Sequence, residues 1–175
     1  ARLEQFLEER AAHLSTIADD LAVFTDASRD LLSGGKRFRA LFCYWGWHAV
    51  AGDVRADDLF AELAEHSDLS SVVDAAAALE LFHAAALVHD DIMDNSDTRR
   101  GMPAAHRRFQ ADHARREWVG NASTYGTSTA LLLGDLLLGW SDELLDAGLA
   151  RLDDPRNARA TRAEFQTMRT EVMVG

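Results

Sequence analysis

The acidic residues with the clearest chemical potential lie near the middle of the sequence, at Asp90, Asp91 and Asp94. Because residues four apart share one face of a helix, Asp90 and Asp94 are expected to project together. Carboxylates crowded at a helix C-terminus repel one another and the negative end of the helix dipole, so a bound cation explains them best. Hard oxygen ligands favour Mg²⁺. A solvated acidic face is the alternative, but the three other Asp-Asp pairs of the chain lack a further Asp at this spacing and are typical of caps and turns.

Basic side chains stand on both sides of this acidic group in the sequence. Arg99 and Arg100 follow it within a few residues, whereas Lys36 and Arg39 come after the flexible stretch Ser33-Gly34-Gly35. Arginine can bind phosphate oxygens through two parallel hydrogen bonds, and Mg²⁺ together with arginines is what a diphosphate requires. The glycine spacing is not that of a nucleotide P-loop. The alternatives are that the arginines only pair with the aspartates and that Lys36 and Arg39 face solvent.

A histidine and several small residues precede the acidic group on the same predicted helix. His83 lies seven residues, or two turns, before Asp90 and therefore on the same stripe. A histidine on an apolar helix is usually a satisfied core residue, and the alternative is that it donates to a phosphate. Ala85 and Ala86 keep the surface small, with Phe82 one turn deeper, which indicates either close packing or room for an apolar ligand.

Helical periodicity dominates the chain, and no run of residues has the alternation and composition of a strand. The sequence therefore predicts an all-α protein in which one long helix carries the acidic group at its end. A short loop that ends in Ser33-Gly34-Gly35 is expected after the first helix, and a loop or frayed turn is expected at 95–103. The predicted helices are 3–24, 36–52, 57–65, 71–94, 103–117, 125–145 and 156–174.

The composition limits both the architecture and the partners. The 175 residues are 47% apolar and 27% charged, which predicts a single folded domain over 1–175 rather than a disordered chain. A net charge of −11 argues against a nucleic-acid partner. The apolar runs are interrupted by Glu80, His83 and Asp135, so no membrane span is expected. The single cysteine, Cys43, favours a reducing, cytoplasmic location.

Three blocks of the sequence resemble the trans-isoprenyl diphosphate synthases, also called polyprenyl synthetases. They occur in the order and spacing of that family and extend over 33–138. The blocks are Gly34-Gly35-Lys36-Arg37-Phe38-Arg39, then Leu79-Glu80-Leu81-Phe82-His83 continuing through the aspartates to Arg99-Arg100-Gly101-Met102-Pro103, and finally Leu132-Leu133-Gly134-Asp135-Leu136-Leu137-Leu138.

The resemblance implies a helical bundle of the isoprenoid synthase type around a deep central cavity, of which only the N-terminal portion is present. It also implies a prenyltransferase that condenses isopentenyl diphosphate with an allylic diphosphate through Mg²⁺-assisted ionisation, condensation and elimination. By position, Asp90 and Asp94 are the implied metal ligands, with Asp91 supporting them as a third metal-site residue. Arg99 is implied to hold the allylic diphosphate and to be catalytic along with the three aspartates. The residues implied to hold isopentenyl diphosphate are Lys36, Arg39, His83 and Arg100.

In this family, side-chain bulk a few residues before the first aspartate sets the length of the product. The small Ala85 and Ala86, with Phe82 as the floor, imply a product of about twenty carbons or longer, of the geranylgeranyl diphosphate type. A homodimer is also expected from the resemblance. The apolar residues at 131–133 and 136–138 are candidates either for its interface or for the core.

The second aspartate-rich motif of the family has no counterpart within these residues. Residues 1–175 alone are therefore expected to turn over little or no substrate. Two alternative functions remain: a catalytically silent subunit of a heteromeric prenyl synthase, and a terpene cyclase of the same fold. A cyclase has no need of Lys36, Arg39 and Arg100 to hold a second diphosphate, and a purely structural bundle does not explain the combined motifs.

Overall fold

The computed structural model describes residues 1–51 and 67–175. Within these residues the only sheet is a short antiparallel hairpin, which confirms the predicted all-α class. A 3₁₀ turn, Asp19–Leu21, separates the first two helices. In chain order the elements are α1 (Arg2–Ser15), α2 (Ala22–Leu32), α3 (Phe38–Ala51), α4 (Ser67–Met93), β1 (Thr98–Arg99), β2 (Met102–Pro103), α5 (Ala105–Arg115), α6 (Ala122–Leu149) and α7 (Pro155–Val174).

The prediction of one helix over 3–24 is wrong, because the chain breaks between α1 and α2. The hydroxyls of Ser15 and Thr16 donate to the carbonyl oxygens of Ala12 and His13, at 2.8 and 2.7 Å, and thereby compete with further helical turns. Ala18 then takes an extended conformation, with φ −163°. The apolar periodicity continues across this break and so conceals it. The loop expected to end at residue 35 is correspondingly shorter, because α2 extends to residue 32.

Most other predicted helices match the structure at their ends to within four residues. Pro103 is an exception, since it lies in β2 rather than in the first turn of α5. The helix predicted at 57–65 lies outside the described residues. The predicted start of the last helix is confirmed by its cap: the Asp154 carboxylate accepts from the Arg156 N–H at 2.8 Å. Hydrogen bonds from the Arg156 side chain and backbone lower the pKa of Asp154.

Contacts divide the chain into two compact units, here called unit one and unit two. Unit one contains residues 1, 3–35 and 81–139, and unit two contains residues 2, 36–80 and 140–175. The prediction of a single domain over 1–175 stays a prediction. Each unit has its own buried apolar side chains, among them Leu7, Phe24, Leu81, Phe109, Leu133 and Leu137 in unit one, and Leu69, Leu144, Leu145 and Phe165 in unit two.

Unit two contains a buried carboxylate that is held by two arginines. The side chain of Asp74, on α4, is only 2% exposed. Arg2 Nε lies 2.5 Å from one of its oxygens, and Arg151 Nη2 lies 2.5 Å from the other. Arg151 also donates to the Ser70 carbonyl oxygen at 3.2 Å. Gly148 permits the close packing, because a Cβ there would lie 2.9 Å from the Cβ of Asp74.

The helix α4 is also long and apolar. By length and composition alone, Leu69–Met93 could cross a membrane: an 18-residue window within it has a mean hydropathy of 1.6, although 56% of that window is buried within the protein. Burial of this kind is typical of a core helix. The absence of a membrane span nevertheless stays a prediction.

Candidate active site

The acidic end of α4 is shaped by a left-handed residue that stops the helix. Asn95 has φ 51°, a conformation that asparagine tolerates better than most residues. The Ser96 N–H donates to the Asp91 carbonyl oxygen at 2.9 Å, and the Asn95 N–H donates to that of Ile92 at 3.3 Å. This pair of bonds is the Schellman arrangement of a helix C-terminus. The helix therefore ends where its carboxylates begin to face solvent.

The hairpin that follows reverses the chain and brings an arginine back to the helix end. Thr98 pairs with Pro103 and Arg99 with Met102, so the turn contains only Arg100 and Gly101. Both turn residues have positive φ, 53° and 78°, as a type I′ turn requires. For an arginine this backbone conformation is strained, and strain of this kind concentrates at functional sites.

Arg99, which lies in β1, donates hydrogen bonds to two of the aspartates. Its Nε lies 3.0 Å from both carboxylate oxygens of Asp91, and its Nη2 lies 2.6 Å from Asp91 Oδ1 and 3.0 Å from Asp90 Oδ2. Hydrogen bonds to Asp91 are the main reason why the pKa of Arg99 is raised even above its ordinary value. These hydrogen bonds use only Nε and Nη2 of Arg99. Nη1 makes none among the described residues and can therefore bind a further anion.

The three aspartates differ in what they can bind. The Asp91 side chain is 3% exposed and both its oxygens accept from Arg99. The Asp90 side chain is 55% exposed, and Asp94, one turn away, is exposed as well. Mg²⁺ in phosphate-handling sites is commonly held by one or two carboxylates, with water and substrate oxygens as its other ligands. Asp90 and Asp94 fit that donor set. No larger metal-binding cluster of His, Cys, Asp or Glu side chains is found at 1–51 and 67–175.

Arg100 lies against the glycine loop that precedes α3. A Cβ at Gly34 would approach Arg100 Nη1 to 3.3 Å, and a Cβ at Gly35, where φ is 95°, would be equally close. The two glycines therefore leave room for the guanidinium beside an exposed backbone. A cavity of ≈ 510 Å³ opens here in unit one. It is lined in part by Ser33, Gly34, Leu87, Asp91, Arg99 and Arg100.

The structure distributes the remaining predicted site residues unevenly. Phe82 and Ala85 are buried in unit one, whereas His83 and Ala86 are partly exposed. Lys36 and Arg39 are exposed but belong to unit two, so their grouping with the unit-one residues stays a prediction.

Two histidines near the aspartates were given no role by the sequence analysis. His106, at the start of α5, is 5% exposed, and neither ring nitrogen has a hydrogen-bond partner among the described residues. Burial, followed by the charge of Arg107, lowers its pKa, so the ring is neutral at neutral pH. Nothing in its polar sequence surroundings indicates burial. His89, which precedes Asp90, packs against Gly134, and both belong to the sequence blocks quoted above.

Taken together, exposed carboxylates, two arginines and a cavity equip this helical protein to bind a phosphorylated ligand. A sequence model of the polyprenyl synthetase family matches residues 22–173. The chain is 34% identical over 146 residues to a geranylgeranyl diphosphate synthase of Methanosarcina mazei, and 31% identical over 156 residues to a short chain isoprenyl diphosphate synthase of Methanocaldococcus jannaschii. These alignments cover 79% and 89% of this chain but only 36% and 37% of the two relatives.

A comparison with solved structures also finds a prenyl diphosphate synthase. The protein is similar, with a TM-score of 0.80 and 38% identity, to a geranylgeranyl pyrophosphate synthase from Corynebacterium glutamicum complexed with isoprenyl diphosphate and magnesium. The match covers 98% of this chain and 45% of that one, so this chain spans less than half the length of these relatives. The chain belongs to the polyprenyl synthetase family of prenyltransferases and has its all-α isoprenoid synthase fold.

Proposed function

We propose that this protein is a prenyl diphosphate synthase that condenses isopentenyl diphosphate with an allylic diphosphate. The observation that carries the proposal is the arrangement at the end of α4. There, exposed Asp90 stands beside buried Asp91, Arg99 binds both carboxylates, and Arg100 lies against Gly34. Membership of the polyprenyl synthetase family supports the same reaction.

Each residue has a distinct part in the proposed reaction. Asp90 and Asp94 would hold Mg²⁺, which supplies electrostatic stabilisation of the departing diphosphate when bound. Asp91 orients Arg99, whose Nη1 would donate to the allylic diphosphate. Arg100 binds the isopentenyl diphosphate beside the glycine loop. The further groups assigned to that second diphosphate are Lys36, Arg39 and His83.

The proposal is tested by a radiolabel assay of the complete gene product. The protein is incubated with labelled isopentenyl diphosphate and with dimethylallyl, geranyl or farnesyl diphosphate in turn. Product length is read after dephosphorylation, with Mg²⁺ present or removed by EDTA. We expect Mg²⁺-dependent elongation to about twenty carbons.

The outcomes of that assay separate the candidate functions. A folded protein that elongates no primer contradicts the proposal and favours a silent subunit. In a parallel incubation with labelled allylic diphosphate, release of a labelled hydrocarbon or alcohol without consumption of isopentenyl diphosphate favours a cyclase. Elongation that persists after complete metal removal contradicts the role of Mg²⁺.

The length of the product is expected to depend on Ala86. Ala86 is partly exposed, so Ala86→Phe can place a ring in the open space one turn before Asp90. We expect it to shorten the product by at least one five-carbon unit at nearly unchanged stability. Ala85 is fully buried, so Ala85→Phe overpacks the core at a cost of about 1–3 kcal/mol.

Product chromatography and thermal unfolding of both variants check this difference. Conversion of Ala86 to serine is the matched control, since it changes polarity with little added bulk. An unchanged product spectrum in Ala86→Phe contradicts the assignment of this surface to the growing chain.

We further propose a cytoplasmic homodimer. Leu131 and Leu132 are half-exposed on α6 and are available for an interface, whereas Leu133 and Leu137 are buried and belong to the core. Light scattering of the purified complete protein tests the dimer, and a monomer at micromolar concentration contradicts it. Cell fractionation tests the location.

A further inference from the structure

The ring of His89 occupies a niche that exists only because residue 134 is glycine. His89 is on α4 and Gly134 is on α6, and both belong to unit one. A Cβ built on Gly134 would overlap the imidazole ring. Glycine within a helix costs about 1 kcal/mol relative to alanine, so its presence here calls for a physical reason. Gly139, five residues further along α6, has no neighbour within 4 Å of such a Cβ.

The seated ring also makes polar contacts with α6. His89 Nε2 lies 3.4 Å from the Leu131 carbonyl oxygen and 3.5 Å from Asp135 Oδ1. Because a carbonyl oxygen only accepts hydrogen bonds, this contact is a hydrogen bond in the tautomer whose Nε2 carries the proton. Two acceptors and a steric niche thus define one position for the ring.

We infer that His89 is a positioning residue, which fixes the final turn of α4 against α6 and thereby sets where Asp90 stands. His89 is the residue immediately before Asp90, while Arg99 binds Asp90 and Asp91 from the hairpin. The acidic turn is therefore held at two points, one of them through Gly134. The role in metal binding rests on the proposed function, whereas the restraint on the helix end does not.

The test moves the ring without touching the aspartates. Gly134→Ala displaces His89 from its niche, and Gly139→Ala is the matched control on the same helix. In the complete protein, hydrogen–deuterium exchange is measured at the amides of Asp94 and Ser96, whose acceptors are the carbonyls of Asp90 and Asp91. We expect exchange to accelerate about tenfold in Gly134→Ala and to remain unchanged in Gly139→Ala.

A second readout concerns the metal. The Mg²⁺ concentration that half-saturates binding of inorganic diphosphate is expected to rise about tenfold in Gly134→Ala, with the bound stoichiometry unchanged. His89→Gln retains an N–H donor and is expected to recover more of the wild-type value than His89→Ala. A purely structural role predicts no such recovery in the Mg²⁺ dependence. The two His89 variants also keep the test decisive if Gly134→Ala does not fold.

The outcomes distinguish this inference from the proposed function. Equal exchange at Asp94 and Ser96 in both glycine variants, or equal behaviour of the two His89 variants, overturns the positioning role. Accelerated exchange in a protein that binds no Mg²⁺ or diphosphate supports the restraint by His89 and contradicts the proposed function instead.

Discussion

Replacing Asp90 by alanine is expected to slow Mg²⁺-dependent condensation by roughly a thousandfold, because electrostatic stabilisation by a metal is worth several kcal/mol. The fold is expected to tolerate the change. The Asp90 side chain is 55% exposed, and its contact with Arg99 is a single bond of 3.0 Å. An exposed ion pair of this kind contributes at most about 1 kcal/mol to stability. Catalysis and stability should therefore separate in Asp90→Ala.

The adjacent aspartate supplies the contrast. Asp91 is buried and accepts three of the hydrogen bonds from Arg99. Asp91→Ala removes the main hydrogen-bond partner of the partly buried Arg99 guanidinium. We expect the free energy of unfolding to fall by about 2–3 kcal/mol. This expected loss is smaller than the usual loss of about 3–5 kcal/mol for a broken buried ion pair. The reason is that the Arg99 side chain is 28% exposed and can regain some hydration.

Paired measurements on the complete gene product check this expectation. Steady-state kinetics at varied Mg²⁺ give the catalytic effect, and urea unfolding gives the stability of each variant. Asp97→Ala is a suitable control, since Asp97 is exposed and is paired with Arg107 rather than Arg99. Equal activity losses in Asp90→Ala and Asp97→Ala, or a strong destabilisation by Asp90→Ala, contradict the division of roles between Asp90 and Asp91.

Much of the fold and of the site could be predicted from the sequence because the relevant signals are local. A long alanine-rich stretch before the aspartates located α4 and a strongly apolar stretch from Tyr125 located α6, and the spacing of Asp90 and Asp94 placed both carboxylates at a helix end. The resemblance to polyprenyl synthetases was confirmed by the family match over residues 22–173.

The remaining features depend on contacts that no local pattern records. The break after α1 depends on hydroxyl groups that compete for carbonyls, while the apolar spacing continues past it. Asp90 and Asp91 are neighbours of one residue type, yet only the fold exposes one and buries the other. The reason for a glycine at position 134 is its contact with the His89 ring, which the sequence does not reveal.

The largest stability effect is expected at Asp74 in unit two. Its carboxylate is buried between Arg2 and Arg151, whose side chains are 25% and 39% exposed. Removing one partner of a buried ion pair typically costs about 3–5 kcal/mol, because the remaining charge is left without compensation. Both arginines reach solvent in part, so we expect Asp74→Ala to cost about 3 kcal/mol.

A double-mutant cycle shows whether this cost belongs to the ion pair. Urea unfolding is measured for Asp74→Ala, Arg151→Ala and the double variant, and a coupling of at least about 1 kcal/mol is expected. Asp26→Ala serves as the control, since Asp26 is 68% exposed, forms a surface pair with Arg29 and should cost less than about 1 kcal/mol. If Asp74→Ala is no more destabilising than Asp26→Ala, the buried carboxylate is not what holds α4 to the residues after α6. Additive single effects would instead assign the cost to lost packing around Gly148, because a carboxylate that acted only through its volume would show no coupling to Arg151.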